Sequence, residues 1–154
     1  MQDKYRDNLI KLAEHLEKKP GLLRRYRIRF GMDNWAIKKR RREFEDERMG
    51  PVELIRLAQG FTGGCGTVVC AMGEAALLFP NAALAKDSFC DLGEHLFGVD
   101  CSYSSPDFNW LFGSQWVHTD NTRSGAAKRI RYFLEHGTPK NWEGQMRGQE
   151  PLCY

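Results

Sequence analysis

Gly63-Gly64-Cys65-Gly66-Thr67-Val68-Val69-Cys70-Ala71-Met72-Gly73-Glu74-Ala75-Ala76-Leu77-Leu78-Phe79-Pro80 is the stretch whose reading decides the fold. Two glycines, a cysteine and a third glycine open onto an apolar run of about a dozen residues, long enough for a helix and stopped by Pro80. Small residues (Ala71, Gly73, Ala75, Ala76) are interspersed with Met72, Leu77, Leu78 and Phe79, so other elements can approach closely. The stretch reads as a buried central helix over about 66–79, its amino end beneath a tight glycine turn.

Upstream, Tyr5, Leu9, Leu12 and Leu16 recur at helical spacing across residues 3–18, and Pro20-Gly21 ends the pattern. Arg25-Tyr26-Arg27-Ile28-Arg29-Phe30 alternates basic with apolar side chains, which is a strand signature that turns Tyr26, Ile28 and Phe30 inward. No second strand of equal quality is visible, so an extended segment packed on the core is the other reading. Gly31 to Trp35 reads as a turn. Lys38-Lys39-Arg40-Arg41-Arg42 and then Glu43, Glu45, Asp46 and Glu47 form a charged insertion over 38–49, either a solvated helix or a mobile loop. Pro51 opens a short helix carrying Val52, Leu54, Ile55, Leu57 and Ala58.

Downstream, Asn81 to Lys86 reads as a connection. Asp87 or Ser88 caps a helix with Phe89, Leu92, Leu96 and Phe97 on one face, ended by Gly98. Ser105-Pro106-Asp107 starts an aromatic helix (Phe108, Trp110, Leu111, Phe112) closed by Gly113. Thr122 caps the last clear helix, with Ala126, Ala127, Ile130, Phe133 and Leu134 inward and Gly137 and Pro139 as its stop. The tail after Trp142 reads as loosely held. The expected fold is therefore mainly α, one compact domain over 1–154 with five to six short helices around the central one. A small hairpin involving 25–30 would make it α+β. The expected core is Leu77, Leu78, Phe89, Leu92, Leu96, Trp116, Ile130, Phe133 and Leu134.

The chain has 154 residues, of which 42% are hydrophobic and 28% charged, ordinary values for a globular domain with its own core. No apolar run reaches the roughly 18 residues a membrane span requires. The charged start, Met1-Gln2-Asp3-Lys4-Tyr5-Arg6-Asp7, lacks a signal-peptide core. The location expected from this is the cytoplasm. There the five cysteines, an odd number, are expected as thiols and not as a disulfide framework. The net charge of +3 is unevenly placed: residues 18–48 hold twelve Lys or Arg against five Asp or Glu, while the rest is acidic.

Two kinds of site follow. A thiol at Cys65 would meet open backbone N–H groups and the positive end of the central helix, which favours thiolate. His118, two residues before Asp120, is the best-placed base, so Cys65, His118 and Asp120 are the candidate catalytic set of a Cys–His hydrolase or transferase. The bland alternative makes Cys65 a small turn residue and His118 a polar residue before a cap. No cysteine–histidine spacing fits zinc, and the glycine loop lacks the lysine of a phosphate-binding loop, so no metal or cofactor is expected. Arg24, Arg25, Arg27 and Arg29 with Tyr26 and Phe30, then Lys38, Lys39, Arg40, Arg41 and Arg42, form the candidate binding surface for nucleic acid or an acidic protein. Its bland alternative is a solvated face neutralised by Glu43 to Glu47.

Phe30-x-Met32-x-x-Trp35, Cys65-Gly66-Thr67-x-x-Cys70-Ala71-x-Gly73, Leu111-Phe112-Gly113 with Trp116, and Ala126-Ala127-x-Arg129-Ile130 together resemble a diffuse group of short bacterial and phage hypothetical proteins. The resemblance spans most of residues 26–137 and implies a shared fold and a prokaryotic or viral source. It brings no catalytic residue with it. The reading of the whole chain is a small cytoplasmic, mainly helical phage or bacterial accessory protein that acts by binding, with inhibition of a host defence protein or nucleic-acid complex as the natural role if the source is a phage. The Cys–His enzyme and a nucleic-acid-binding module through 24–42 are the alternatives, and the oligomeric state stays open.

Overall fold

The computed structural model describes residues 1–18, 29–30, 36–38, 47–48, 50–60, 67–102 and 104–154. Eight α-helices and one 3-10 helix dominate the described residues: α1 (Asp3–Glu17), α2 (Pro51–Gly60), α3 (Ala71–Leu78), α4 (Pro80–Leu84), α5 (Phe89–Phe97), α6 (Pro106–Phe112), the 3-10 turn Ser114–His118, α7 (Arg123–His136) and α8 (Trp142–Met146). Four short strands, β1 (Arg29–Phe30), β2 (Ala36–Lys38), β3 (Glu47–Arg48) and β4 (Thr67–Val69), form one sheet in the order β1-β4-β2-β3. The class is mainly α.

Local chemistry sets the helix ends. Ser88, Ser105 and Thr122 each accept a backbone N–H three residues on, from Asp91, Phe108 and Gly125, and so open α5, α6 and α7. Gly98 closes α5 at φ +65°, where a Cβ would run into the Tyr5 ring of α1. Pro80 plays two parts: α3 stops before it, and it becomes the first residue of α4. The span 81–86, expected as a connection, thus begins inside a short helix.

The central helix exists but is shorter than the expected 66–79. It starts at Ala71, and Thr67–Val69 is strand β4. Two β-branched valines after a threonine favour a strand, and β4 completes it by pairing on both sides. Arg29 and Phe30 lie parallel to Val68 and Val69, while Ala36, Ile37 and Lys38 run antiparallel to Val69, Val68 and Thr67. The hairpin is therefore β2–β3, with Ile37 opposite Arg48 and Lys38 opposite Glu47, and the strand at 29–30 joins it only through β4.

α3 is buried along six consecutive residues, Ala71 to Ala76, and packs against α1, α2, α4 and α5. The other main layer is α1 on α7. α1 presents Leu9, Leu12, Ala13 and Leu16, and α7 presents Gly125, Ala126, Ala127, Arg129 and Ile130. Of the expected core, Phe89, Leu92, Leu96, Trp116 and Ile130 are buried, whereas Leu77, Leu78, Phe133 and Leu134 are only half-buried against it. The deepest part of α3 is its small-residue half, because that is the half its neighbours can approach. The tail is held more firmly than expected: Gln145 and Met146 of α8 are buried, and Tyr154 packs against the core. Cys90 and Cys101, expected as thiols, are joined by a disulfide with their Cα atoms 5.2 Å apart. Their pairing depends on the chain doubling back after α5, which no spacing rule reveals. No helix among the described residues is long and apolar enough to cross a membrane.

Candidate functional site

The sheet places the ends of the basic segment. Arg29 stands on β1 at one edge, and Lys38 is the last residue of β2, opposite Glu47 on the edge strand β3 and Thr67 on β4. Lys39, Arg40, Arg41 and Arg42 follow β2 directly in the sequence. Those four, together with Arg24, Arg25 and Arg27, residues 43–46 and Met49, lie outside the described residues.

Cys65 also lies outside the described residues, and the helix end expected beside it is displaced. The N-cap of α3 is Cys70. This thiol is fully buried, and burial pushes its pKa up to about 11, outweighing the backbone N–H groups of Gly73 and Met72 that favour thiolate. A protonated thiol sealed from solvent is a poor nucleophile. The Cys–His alternative therefore rests on Cys65 alone.

His118 is exposed at the end of the 3-10 turn. Asp120, expected as its orienting partner, is committed elsewhere. Its Oδ1 accepts from Thr122 Oγ1 at 2.6 Å and its Oδ2 accepts from the Tyr154 hydroxyl at 3.1 Å. The Arg129 Nη1 lies 3.9 Å from Oδ2 and donates to the Asp120 carbonyl at 3.4 Å and to the Tyr154 hydroxyl at 3.2 Å. Arg129 is fully buried with its guanidinium 4.2 Å from the Trp116 ring centroid, and its Nε and Nη2 have no hydrogen-bond partner in the structure. The Trp110 indole donates to the Arg129 carbonyl at 3.1 Å, and the Trp110 and Trp116 rings meet edge-on at 5.3 Å. Burial pushes the Tyr154 phenol up to about 12 and lowers Arg129. Gly125 is what allows Asp120 to fold over the first turn of α7, because a Cβ there would occupy the place of the carboxylate.

A second polar centre was not visible in the sequence. Glu74 of α3 is fully buried and is gripped by Arg123, whose Nε and Nη2 reach its two oxygens at 2.5 and 2.6 Å. Arg123 also donates to the carbonyls of Lys18 and His15. His15 Nε2 lies 2.9 Å from Glu74 Oε2 but off the hydrogen-bond direction. Only one signal pointed here, a single carboxylate in an otherwise apolar helix.

Ala85, Lys86, Asp87, Asp91, Glu94 and His95 line an open depression of about 480 Å³. Burial and the charges of Lys86 and Lys4 lower the His95 pKa. Among the described residues no three His, Cys, Asp or Glu side chains are grouped to hold a metal ion. No protein-family model, curated protein or solved structure matches this chain.

Proposed function

We propose that the protein acts by binding a macromolecular partner, an acidic protein surface or a nucleic acid, through the cationic segment at 24–42. The observation that carries this reading is the surplus of seven positive charges over residues 18–48, twelve Lys or Arg against five Asp or Glu, in a chain whose remainder is acidic. The sheet supports it, since Lys38, the first cation of the run, ends β2 beside the edge strand β3. Crowding five cations at Lys38 to Arg42 costs self-repulsion that an acidic partner relieves. The resemblance to short phage and bacterial proteins makes a cytoplasmic accessory protein, and inhibition of a host defence protein or nucleic-acid complex, the biological form of this reading. The Cys90–Cys101 bridge belongs more naturally to an oxidising compartment, so the redox state of that pair in cells bears on the cytoplasmic assignment.

The test is a pull-down from bacterial lysate with the native chain and with Lys38 to Arg42 all changed to Ser, each with and without nuclease. Retention of the same partners by the Ser variant counts against the reading. Loss of the partners on nuclease treatment assigns them to nucleic acid, and survival assigns them to an acidic protein.

A further inference from the structure

We propose that the Cys90–Cys101 bridge is a thiol-operated switch on the link between α5 and α6, and not a permanent staple of the core. Cys90 is the second residue of α5, and Cys101 follows three residues after the Gly98 reversal, so the bridge fastens the returning chain to the helix it has just left. Val99 is buried. Beyond it, the hydrogen bonds of 100–104 among the described residues are local: Ser102 N and Oγ to Asp100, Ser102 with Ser104, and the Ser102 carbonyl accepting from Ser105 N. None of these reaches another element. Among the described residues of the link, the disulfide is thus the one bond that ties it to another element, beside the packing of Val99 and Cys101 on the core.

The flanking helices do not need it. α5 is anchored by Phe89, Leu92, Leu96 and Phe97 and by Asn8 Nδ2 donating to the Leu96 carbonyl. α6 is anchored by its Ser105 cap and by Phe108, Trp110, Leu111 and Phe112. Opening the bond therefore releases the link beyond Val99 as a local unit while the helices stay packed.

Both cysteines are only half-buried, so a small thiol can reach them. Its thiolate attacks one sulfur and breaks the S–S bond, leaving a mixed disulfide and one protein thiolate. A second small thiol then displaces the second cysteine. The small thiols leave as their own disulfide, having given two electrons, and both cysteines take up protons. Asp91 and Asp100 adjoin the two cysteines in sequence, so a cationic thiol such as cysteamine should react faster than the anionic glutathione.

Amide hydrogen exchange of the full chain, read by mass spectrometry after equilibration with cystamine or with cysteamine, tests the switch. Reduction should speed exchange over 100–104 by about tenfold or more, reversibly, while α1, α3 and α7 keep their protection. Cys101→Ser should show the fast pattern under both conditions. Loss of protection in α1, α3 and α7 on reduction would make the bridge a global staple and overturn the proposal. So would identical exchange at 100–104 in both states, or the absence of a Cys90–Cys101 linked peptide from the oxidised protein.

Discussion

Arg123 and Glu74 hold each other by two parallel hydrogen bonds of 2.5 and 2.6 Å, and the Glu74 side chain is wholly closed to solvent. Because Arg123 also donates to the Lys18 and His15 carbonyls, this one pair fastens the amino end of α7 to the middle of α3 and the carboxyl end of α1. Removing one partner strands the other charge. Glu74→Ala should therefore cost about 3–5 kcal/mol in urea unfolding. Changing Arg123→Met in the same chain should restore much of the loss. If both variants unfold at the native midpoint, the pair is not the junction described.

The graded burial along α3 and its neighbours predicts unequal costs for two leucines. Leu12 is fully buried between α1 and its neighbours, so Leu12→Ala should cost about 2–5 kcal/mol. Leu77 is half-buried, and Leu77→Ala should cost roughly half as much, about 1–2 kcal/mol. Denaturant melts of the two variants check the order. The reverse order would move the core toward the carboxyl end of α3.

Tyr154 carries a pH signature. Burial raises its phenol from 10.0 to about 12, so the folded chain keeps the proton after the unfolded chain has lost it. Stability from this group is complete below about pH 10 and falls as pH rises from there toward 12. Ultraviolet titration should show Tyr154 among the tyrosines that ionise late, and Tyr154→Phe should remove its share of the late step while Tyr132, also raised by its hydrogen bond to Cys153, keeps its own. The same substitution removes the hydroxyl that joins Asp120 to Arg129, at about 0.5–1.5 kcal/mol. A late step left undiminished by Tyr154→Phe belongs to other residues.

The helix ends were legible in the sequence because a cap is a local device: Ser88, Ser105, Thr122, Gly98 and Gly137 each act within one turn. β4 was not, because Thr67-Val68-Val69 runs into Cys70-Ala71-Met72 without a polar break, and three strand residues acquire meaning only from β1 and β2 beside them. Glu74, Arg123, Arg129 and Tyr154 were missed for the same reason: each meets a side-chain partner 25 or more residues away. The disulfide between Cys90 and Cys101 needed the path of the chain after Gly98. Of the candidate sites, Asp120 was marked from its spacing alone as a catalytic candidate with Cys65 and His118. Its carboxylate faces Thr122, Tyr154 and Arg129 where His118 had been expected.

The central claim is that the cations at Lys38 to Arg42 bind an acidic partner. Its most direct test is fluorescence anisotropy of a labelled single-stranded oligonucleotide and of a labelled poly-glutamate peptide, each titrated with the native chain and with the Ser variant across a salt series. The account predicts that at least one probe binds the native chain. If it is the oligonucleotide, log affinity should fall by about 0.7 per log unit of salt for each phosphate contacted. For the peptide, salt should act more mildly and chiefly on the association rate. In either case the Ser variant should lose the binding and keep the native melting temperature. Equal affinity of the native chain and the Ser variant for both probes would contradict the claim and leave the run as a solvated face.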